Sequence, residues 1–444
     1  MKNSDNPNHS DRPNIVVVIA HDLGCHFGPY GNAVEHSPRL MEFARQSMRF
    51  DRHFVSSPGC SQSRSSLVTG RYPHANGQFG LANWGWKLNE DEILLPAALR
   101  DVGYHTALIG IWHLHEWTLG AFDTISDDVS TLDRSPEGFA EVAAPRAADW
   151  INQSAQKRQP FYLHVGFWEV HRPFCGNQER RASITPASAD AVPGYLPPNE
   201  PTRQEIAELH HSLSLADEGL GRILDAIDEV GLNDNTLVLF TADHGLPFPR
   251  AKGTCYDPGT KVGLLARWPG RIRAGSHCEN LTANVDVMPT LLDIVDAPSL
   301  PQIQGISFKN ALLDNVDPQT PIRSAVFTEK TYHEHYDPIR CIRTERFKYI
   351  RNFASRPKLV LPSDIYNSPT RVSITDDEAI WAHRCSDELY DLLADPDERD
   401  NLASVEKYKT TRQTLSERLE DWMRQTGDPL IEGPISRPTH PEEE

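Results

Sequence analysis

Residues 15–22 read Ile-Val-Val-Val-Ile-Ala-His-Asp. A β-branched run with no polar break predicts a strand buried on both faces, as at the centre of a parallel sheet. The abrupt change to His21 and Asp22 places two side chains fit for metal binding or proton transfer at its carboxyl end. Three further runs repeat the pattern: His105–Gly110 leads to Trp112 and His113, Phe161–Phe167 to Trp168, Glu169 and His171, and Leu237–Thr241 to Asp243 and His244. Apolar runs alternating with helical stretches predict an α/β domain with a largely parallel sheet. In such sheets the ligand crevice lies beyond the carboxyl ends of the strands. A single His or Asp there is ordinarily a solvated turn residue, but four strands delivering them to one edge predict one assembled site.

Further along, Leu264–Trp268 reads as another strand, and Val287–Val295 as a helix with Pro289 in its first turns. A smaller α+β unit begins near Pro321. There Ala325–Thr328, Arg340–Thr344 and Phe347–Arg351 read as short antiparallel strands, followed by a charged helix from about Val405 to Gln425. The expected division is a tail over 1–12, a catalytic domain over 13–320, a C-terminal subdomain over 321–433 and a second disordered tail over 434–444.

At 444 residues the chain can bury one large core and a smaller one. Its net charge of −18 argues against nucleic acid or an anionic membrane as partner. A local cationic pocket can still admit an anionic substrate. Seven cysteines without Cys-x-x-Cys pairs indicate neither a zinc ribbon nor a disulfide scaffold. There is no apolar run of about 18 residues to span a membrane, and no signal-peptide core near the start. The chain as written therefore reads as cytoplasmic, or as exported if a leader has been removed.

Residues 60–71 read Cys-Ser-Gln-Ser-Arg-Ser-Ser-Leu-Val-Thr-Gly-Arg. A phosphatase-type loop would need arginine six positions after the cysteine, where Ser66 stands. No papain-like signature surrounds Cys60. The bland reading of a lone Cys-x-x-x-Arg is a buried free thiol; the trailing Leu67, Thr69, Gly70, Arg71 and Gly77 reverse that preference.

This stretch resembles the sulfatase signature, whose core is Cys-x-Pro-x-Arg. The resemblance extends through Asp243-His244-Gly245, Lys252-Gly253-Thr254, Gly259, Trp268-Pro269-Gly270 and Pro289-Thr290 to Glu388–Leu392 and Asn401-Leu402-Ala403, covering about Pro13 to Pro429. Within the family it is closest to the heparan N-sulfatase (sulfamidase) branch. That match rests on Asn76-Gly77 with Gly80-Leu81, on His171-Arg172, on Pro247-Phe248-Pro249, on Tyr332-His333-Glu334, and on Thr426–Pro429. It implies an alkaline-phosphatase-like fold, with a large mixed, mostly parallel sheet flanked by helices and a smaller antiparallel sheet with its helix. It also implies hydrolysis of a sulfate ester or sulfamate, on a small sulfated saccharide. Cys60 would be oxidised to formylglycine by a formylglycine-generating enzyme, and would act as nucleophile while touching the metal.

The remaining roles follow from the same resemblance. Arg64 would hold the aldehyde hydrate, and Lys252 would bind a sulfate oxygen. His171 would serve as general acid or sulfate ligand on the leaving-group side, and His113 would assist hemiacetal collapse. His333, Arg172 and His115 are candidate substrate contacts, whereas His210 and His211 read as solvated helix residues. Asp22, Asp243 and His244, with Cys60 and His21, would surround one divalent cation. Calcium is the family's usual ion, but the imidazoles suit manganese or zinc, and the choice stays open at this point.

Three positions depart from the family pattern. Gln62 replaces its proline, His21 replaces its first metal-binding acid, and Ile111 replaces a lysine before Trp112-His113. The rival readings they leave are a phosphonate monoester or phosphodiester hydrolase on the same scaffold, and a non-catalytic glycan-binding relative.

Overall fold

A computed structural model describes residues 12–126, 139–157, 159–174, 184–313, 320–376 and 380–438. Apart from Arg12, the expected N-terminal tail lies outside them, as do residues 439–444 of the C-terminal one.

The Asn14–Ala20 strand is buried along its whole length. Successive side chains of a strand point to opposite faces, and this one feeds two cores. Val16, Val18 and Ala20 pack with Ala140, Ala144, Leu209, Leu213 and Leu220. Ile15, Val17 and Ile19 pack with Leu67, Leu95, Leu99, Met288 and Leu291. Helices Ala140–Ser154 and Glu200–Glu229 thus cover one face, while Cys60–Thr69, Leu95–Asp101 and Val287–Ile294 cover the other. The long Glu200 helix starts where the Asn199 side chain accepts a hydrogen bond from the Thr202 amide, 3.2 Å away. Its Gly219 sits so close to its neighbours that a Cβ would lie 2.9 Å from Ala140 Cβ and 3.1 Å from Phe167.

The eight-stranded sheet runs Thr124–Ile125, His105–Gly110, Phe161–Phe167, Asn14–Ala20, Thr236–Ala242, Leu264–Arg267, Met48–Phe50, Ser276–Cys278. Its first five strands are mutually parallel, and Leu264–Arg267 runs against both of its neighbours. This is the mixed, mainly parallel sheet that was expected.

The second unit is an antiparallel sheet in the order Val326–Tyr332, Tyr336–Arg343, Phe347–Asn352, Asp387–Asp391. Helix Lys409–Thr426 lays Leu415, Leu419, Trp422 and Met423 into its core. The first strand runs four residues past the expected end at Thr328. Glu329 and Lys330 look like a loop in sequence but are buried, with Lys330 Nζ 2.8 Å from Asp337 Oδ2. The Asp387–Asp391 strand was not among the expected ones because it opens on two acids; Glu388 is buried and accepts from Tyr256, Tyr390 and Asn352. Residues 434–438, expected to belong to a disordered tail, pack on the protein: the Ile435 carbonyl accepts from Tyr332 at 2.8 Å, and Arg437 lies 4.9 Å over the Trp84 ring.

Candidate active site

The four apolar runs become four adjacent parallel strands, so their carboxyl ends meet at one sheet edge. Backbone bonds lock the turns that follow. The His21 amide donates to the Glu169 carbonyl at 2.9 Å, and the Asp22 amide to Asp243 Oδ1 at 2.9 Å. Asp22 and His113 both sit at positive φ, 58° and 59°. That conformation costs a non-glycine residue energy and is characteristic of functional turns.

Cys60 is the first residue of the Cys60–Thr69 helix, after Gly59 at the cap. The helix is polar in sequence yet buried throughout, which is tolerable because its side chains find partners. Ser65 and Ser66 donate to the Gln62 carbonyl at 2.8 and 3.2 Å, and Ser63 donates to the Asp243 carbonyl. Asn284 donates to Ser63, and Asn76 to Ser65. Gln62, where the family pattern has proline, donates to the Tyr332 carbonyl at 2.7 Å and so ties the helix to the second unit.

Ligand-type atoms of His21, Asp22, Cys60, Asp243 and His244 all lie within 4.8 Å of one another, and all five residues are buried. His244 Nε2 is 3.0 Å from Asp22 Oδ1 and 3.1 Å from Cys60 Sγ. His21 Nε2 is 3.2 Å from Asp243 Oδ2, yet neither of its ring nitrogens makes a hydrogen bond. Burial holds the His21 pKa well below the ordinary imidazole value, so the ring is neutral and able to ligate a cation. Burial also pushes the Cys60 thiol up, against the pull of Lys252 and His244, which makes it a poor thiolate nucleophile. Burial disfavours charge on Asp22 as well, but Lys252, then His171, His244 and His21, outweigh it and keep the carboxylate ionised. Arg64 is buried and binds the cluster from behind: Nε donates to Asp243 Oδ2 at 3.0 Å, and Nη1 to the Ile111 carbonyl at 3.3 Å.

Beside this cluster lies a second group. Lys252 Nζ is 2.8 Å from Asp22 Oδ2, 3.0 Å from His171 Nε2 and 2.9 Å from Asp364 Oδ2. Burial alone would lower the Lys252 pKa, but Asp22 and Asp364 raise it well above the usual lysine value. Asp364 was not foreseen. It stands on a one-turn helix, Ser363–Tyr366, in the excursion between two neighbouring strands, with no motif around it. His333 is buried, and its pKa is lowered by burial first and then by the Lys252 charge. His113 stacks edge-on to His21 with ring centroids 5.6 Å apart.

Other expected residues are employed elsewhere. The Arg172 guanidinium pairs with Glu205, donates to the Pro247 carbonyl at 2.8 Å and stacks on Phe174 and Phe248. His115 caps the turn after it, accepting from the Trp117 amide at 3.3 Å. His210, expected in solvent, is buried with Nε2 3.0 Å from His26 Nε2, because its helix face packs onto the turn after the Asn14–Ala20 strand. A cavity of about 380 Å³ opens beside Gly24, Cys25 and Lys261, and none of the five clustered residues lines it.

Comparison with known proteins places the chain in a family. A family model described as sulfatase matches residues 13–297, and one described as N-sulphoglucosamine sulphohydrolase, C-terminal, matches residues 248–382. Human N-sulphoglucosamine sulphohydrolase is 29% identical over 471 residues, covering 95% of this chain and 92% of its own length. An ulvan-active sulfatase of Formosa agariphila is 29% identical, covering 97% and 83%. A solved structure in complex with its substrate D-glucosamine-2-N,6-O-disulfate superposes with a TM-score of 0.69 at 20% identity, over 94% of this chain and 98% of that one.

Proposed function

The chain belongs to the sulfatase family and is an enzyme of that class; from there we propose that it hydrolyses a sulfate ester or sulfamate on a glycosaminoglycan-type saccharide, using a formylglycine formed at position 60. The buried five-residue cluster around Cys60 carries this reading. The saccharide class is supported by the sulfated aminosugar substrates that its relatives' names specify.

The donor set fits a divalent cation. Four ligand residues converge without solvent, and His21 offers two ring nitrogens that no hydrogen bond occupies. His21, Asp22, Asp243 and His244 would hold the ion, with position 60 beside it. Two imidazoles with two carboxylates move the proposal from calcium toward manganese or zinc. Such an ion would polarise an oxygen of the sulfo group and stabilise negative charge on it.

The aldehyde at position 60 would supply a gem-diol, one hydroxyl to attack sulfur and the other to expel sulfate afterwards. Arg64 fixes Asp243 and neutralises its charge. Lys252 presents an ammonium to the sulfo oxygens. His171 Nε2 accepts from Lys252, so its proton sits on Nδ1, which donates to the Arg172 carbonyl at 2.5 Å. His171 Nε2, which faces Lys252 and Asp22, is the nitrogen that would have to be protonated to serve the leaving group as general acid. His113, its ring 5.6 Å from that of His21, would assist the collapse step.

Parallel turnover of N-sulfated glucosamine, 6-O-sulfated glucosamine and an aryl phosphonate ester tests the proposal. Release of inorganic sulfate from either sugar, lost in Cys60→Ala, is expected. Faster cleavage of the phosphonate would overturn it.

A further inference from the structure

An ammonium group has three N–H donors, and those of Lys252 are all taken by Asp22, His171 and Asp364. A sulfo oxygen can reach Lys252 only by displacing one of them. Asp22 is sealed, with no side-chain exposure, and belongs to the five-residue cluster. His171 keeps its proton on the far nitrogen and is held there by the Arg172 carbonyl. Asp364 is the replaceable partner. Its side chain is 18% exposed, and it sits on the Ser363–Tyr366 turn, which is held in place by Glu334 accepting from the Ser363 amide at 2.9 Å and from its hydroxyl at 2.6 Å.

Displacement has a consequence for the substrate. In the structure the Asp364 carboxylate lies beside Asp22 and 3.8 Å from His171 Nε2, with Lys252 as the ammonium it pairs with, so a sulfo group that takes the Lys252 donor leaves it short of one. An enclosed carboxylate that loses a donor must find another or carry the desolvation cost. We propose that Asp364 is a specificity-determining residue: it holds the place of the sulfo group on Lys252, and when displaced it takes a hydrogen bond from an N–H or O–H that the substrate carries next to that group. Sulfated aminosugars and vicinal hydroxy-sulfates meet the requirement. Anions without a neighbouring donor do not.

This inference rests on the anion site of the proposed function, and its test separates the two. Sulfamate and methanesulfonate are monoanions of one shape, NH₂ against CH₃ on the same SO₃ group. Their dissociation constants from the full-length, metal-loaded enzyme are measured by titration calorimetry. The wild type is expected to prefer sulfamate about tenfold, the worth of one charge-assisted hydrogen bond. In Asp364→Ala the preference should fall within about threefold, with methanesulfonate bound more tightly than by the wild type. Equal affinities in the wild type would overturn the inference whatever the variant does, as would an undiminished preference in Asp364→Ala. Lys252→Ala should weaken both anions at least tenfold; unchanged binding there would overturn the anion site itself. A melting curve confirms that each variant is folded.

Discussion

Arg64 Nε donates to Asp243 Oδ2 across 3.0 Å, with both side chains sealed from solvent. The guanidinium acts through the carboxylate that would hold the metal. Removing one member of such a pair leaves an uncompensated buried charge, which costs about 3–5 kcal/mol. Arg64→Gln should therefore lose more than about a hundredfold in kcat together with metal affinity. Metal content after dialysis, measured beside turnover, checks this; unchanged occupancy would place Arg64 on substrate alone.

The cation itself should be a borderline one. Two imidazoles and two carboxylates face one point, so elemental analysis of the purified protein is expected to find manganese or zinc near one per chain. Calcium at full occupancy would contradict it. His21→Asp adds an oxygen donor and should shift the preference toward calcium.

Arg340 ties the second unit together. It is fully buried, with Nη2 3.0 Å from Asp428 Oδ1 and 3.4 Å from Glu329 Oε2. Glu329 in turn accepts from the His74 ring at 2.8 Å, close after the Cys60–Thr69 helix. Arg340→Ala should destabilise the protein by about 3–5 kcal/mol, read as a lower urea midpoint. Loss of less than about 1 kcal/mol would show that the network is not under this load.

Acid should weaken the fold through buried imidazoles. Burial lowers His26 to about 4 and His210 to about 3, against an ordinary value near 6.5. Below about pH 6.5 the unfolded chain takes up protons that the folded rings refuse, so stability falls as pH drops toward 4. Each ring contributes up to about 1.4 kcal/mol per pH unit in that window. His53 and His164 act in the same direction, both lowered to about 3 by burial. Denaturant titrations between pH 7 and 4.5 should show a shallower decline for a His26→Leu/His210→Leu variant, and an identical slope would refute the assignment.

What could be read from the chain alone follows a physical division. The parallel strands announce themselves because both of their faces are buried, which forces unbroken runs such as Ile15–Ile19 and abrupt polar ends at His21 and Asp243. Cys60 and Arg64 are legible through local spacing on one helix. Asp364 is not, because its role depends on a fold-back between Phe347–Asn352 and Asp387–Asp391 that carries no periodicity. Glu329, Lys330 and Glu388 mislead for a related reason: ion pairing and hydrogen bonding inside the core let charged residues occupy strands where composition argues for a loop. Arg172 shows the converse, a cation well placed in sequence whose charge is spent on Glu205.

The most direct measurement is the mass of the tryptic peptide 53–64, which ends at Arg64 and contains Cys60, after coexpression with a formylglycine-generating enzyme. Conversion to formylglycine should give a peptide about 18 Da lighter than the cysteine form, since oxidation of the thiol to its oxyacids would add mass instead. Sulfate-releasing activity should rise in proportion to the lighter fraction. An unmodified Cys60 in a protein that still releases sulfate at full rate would rule out the formylglycine mechanism.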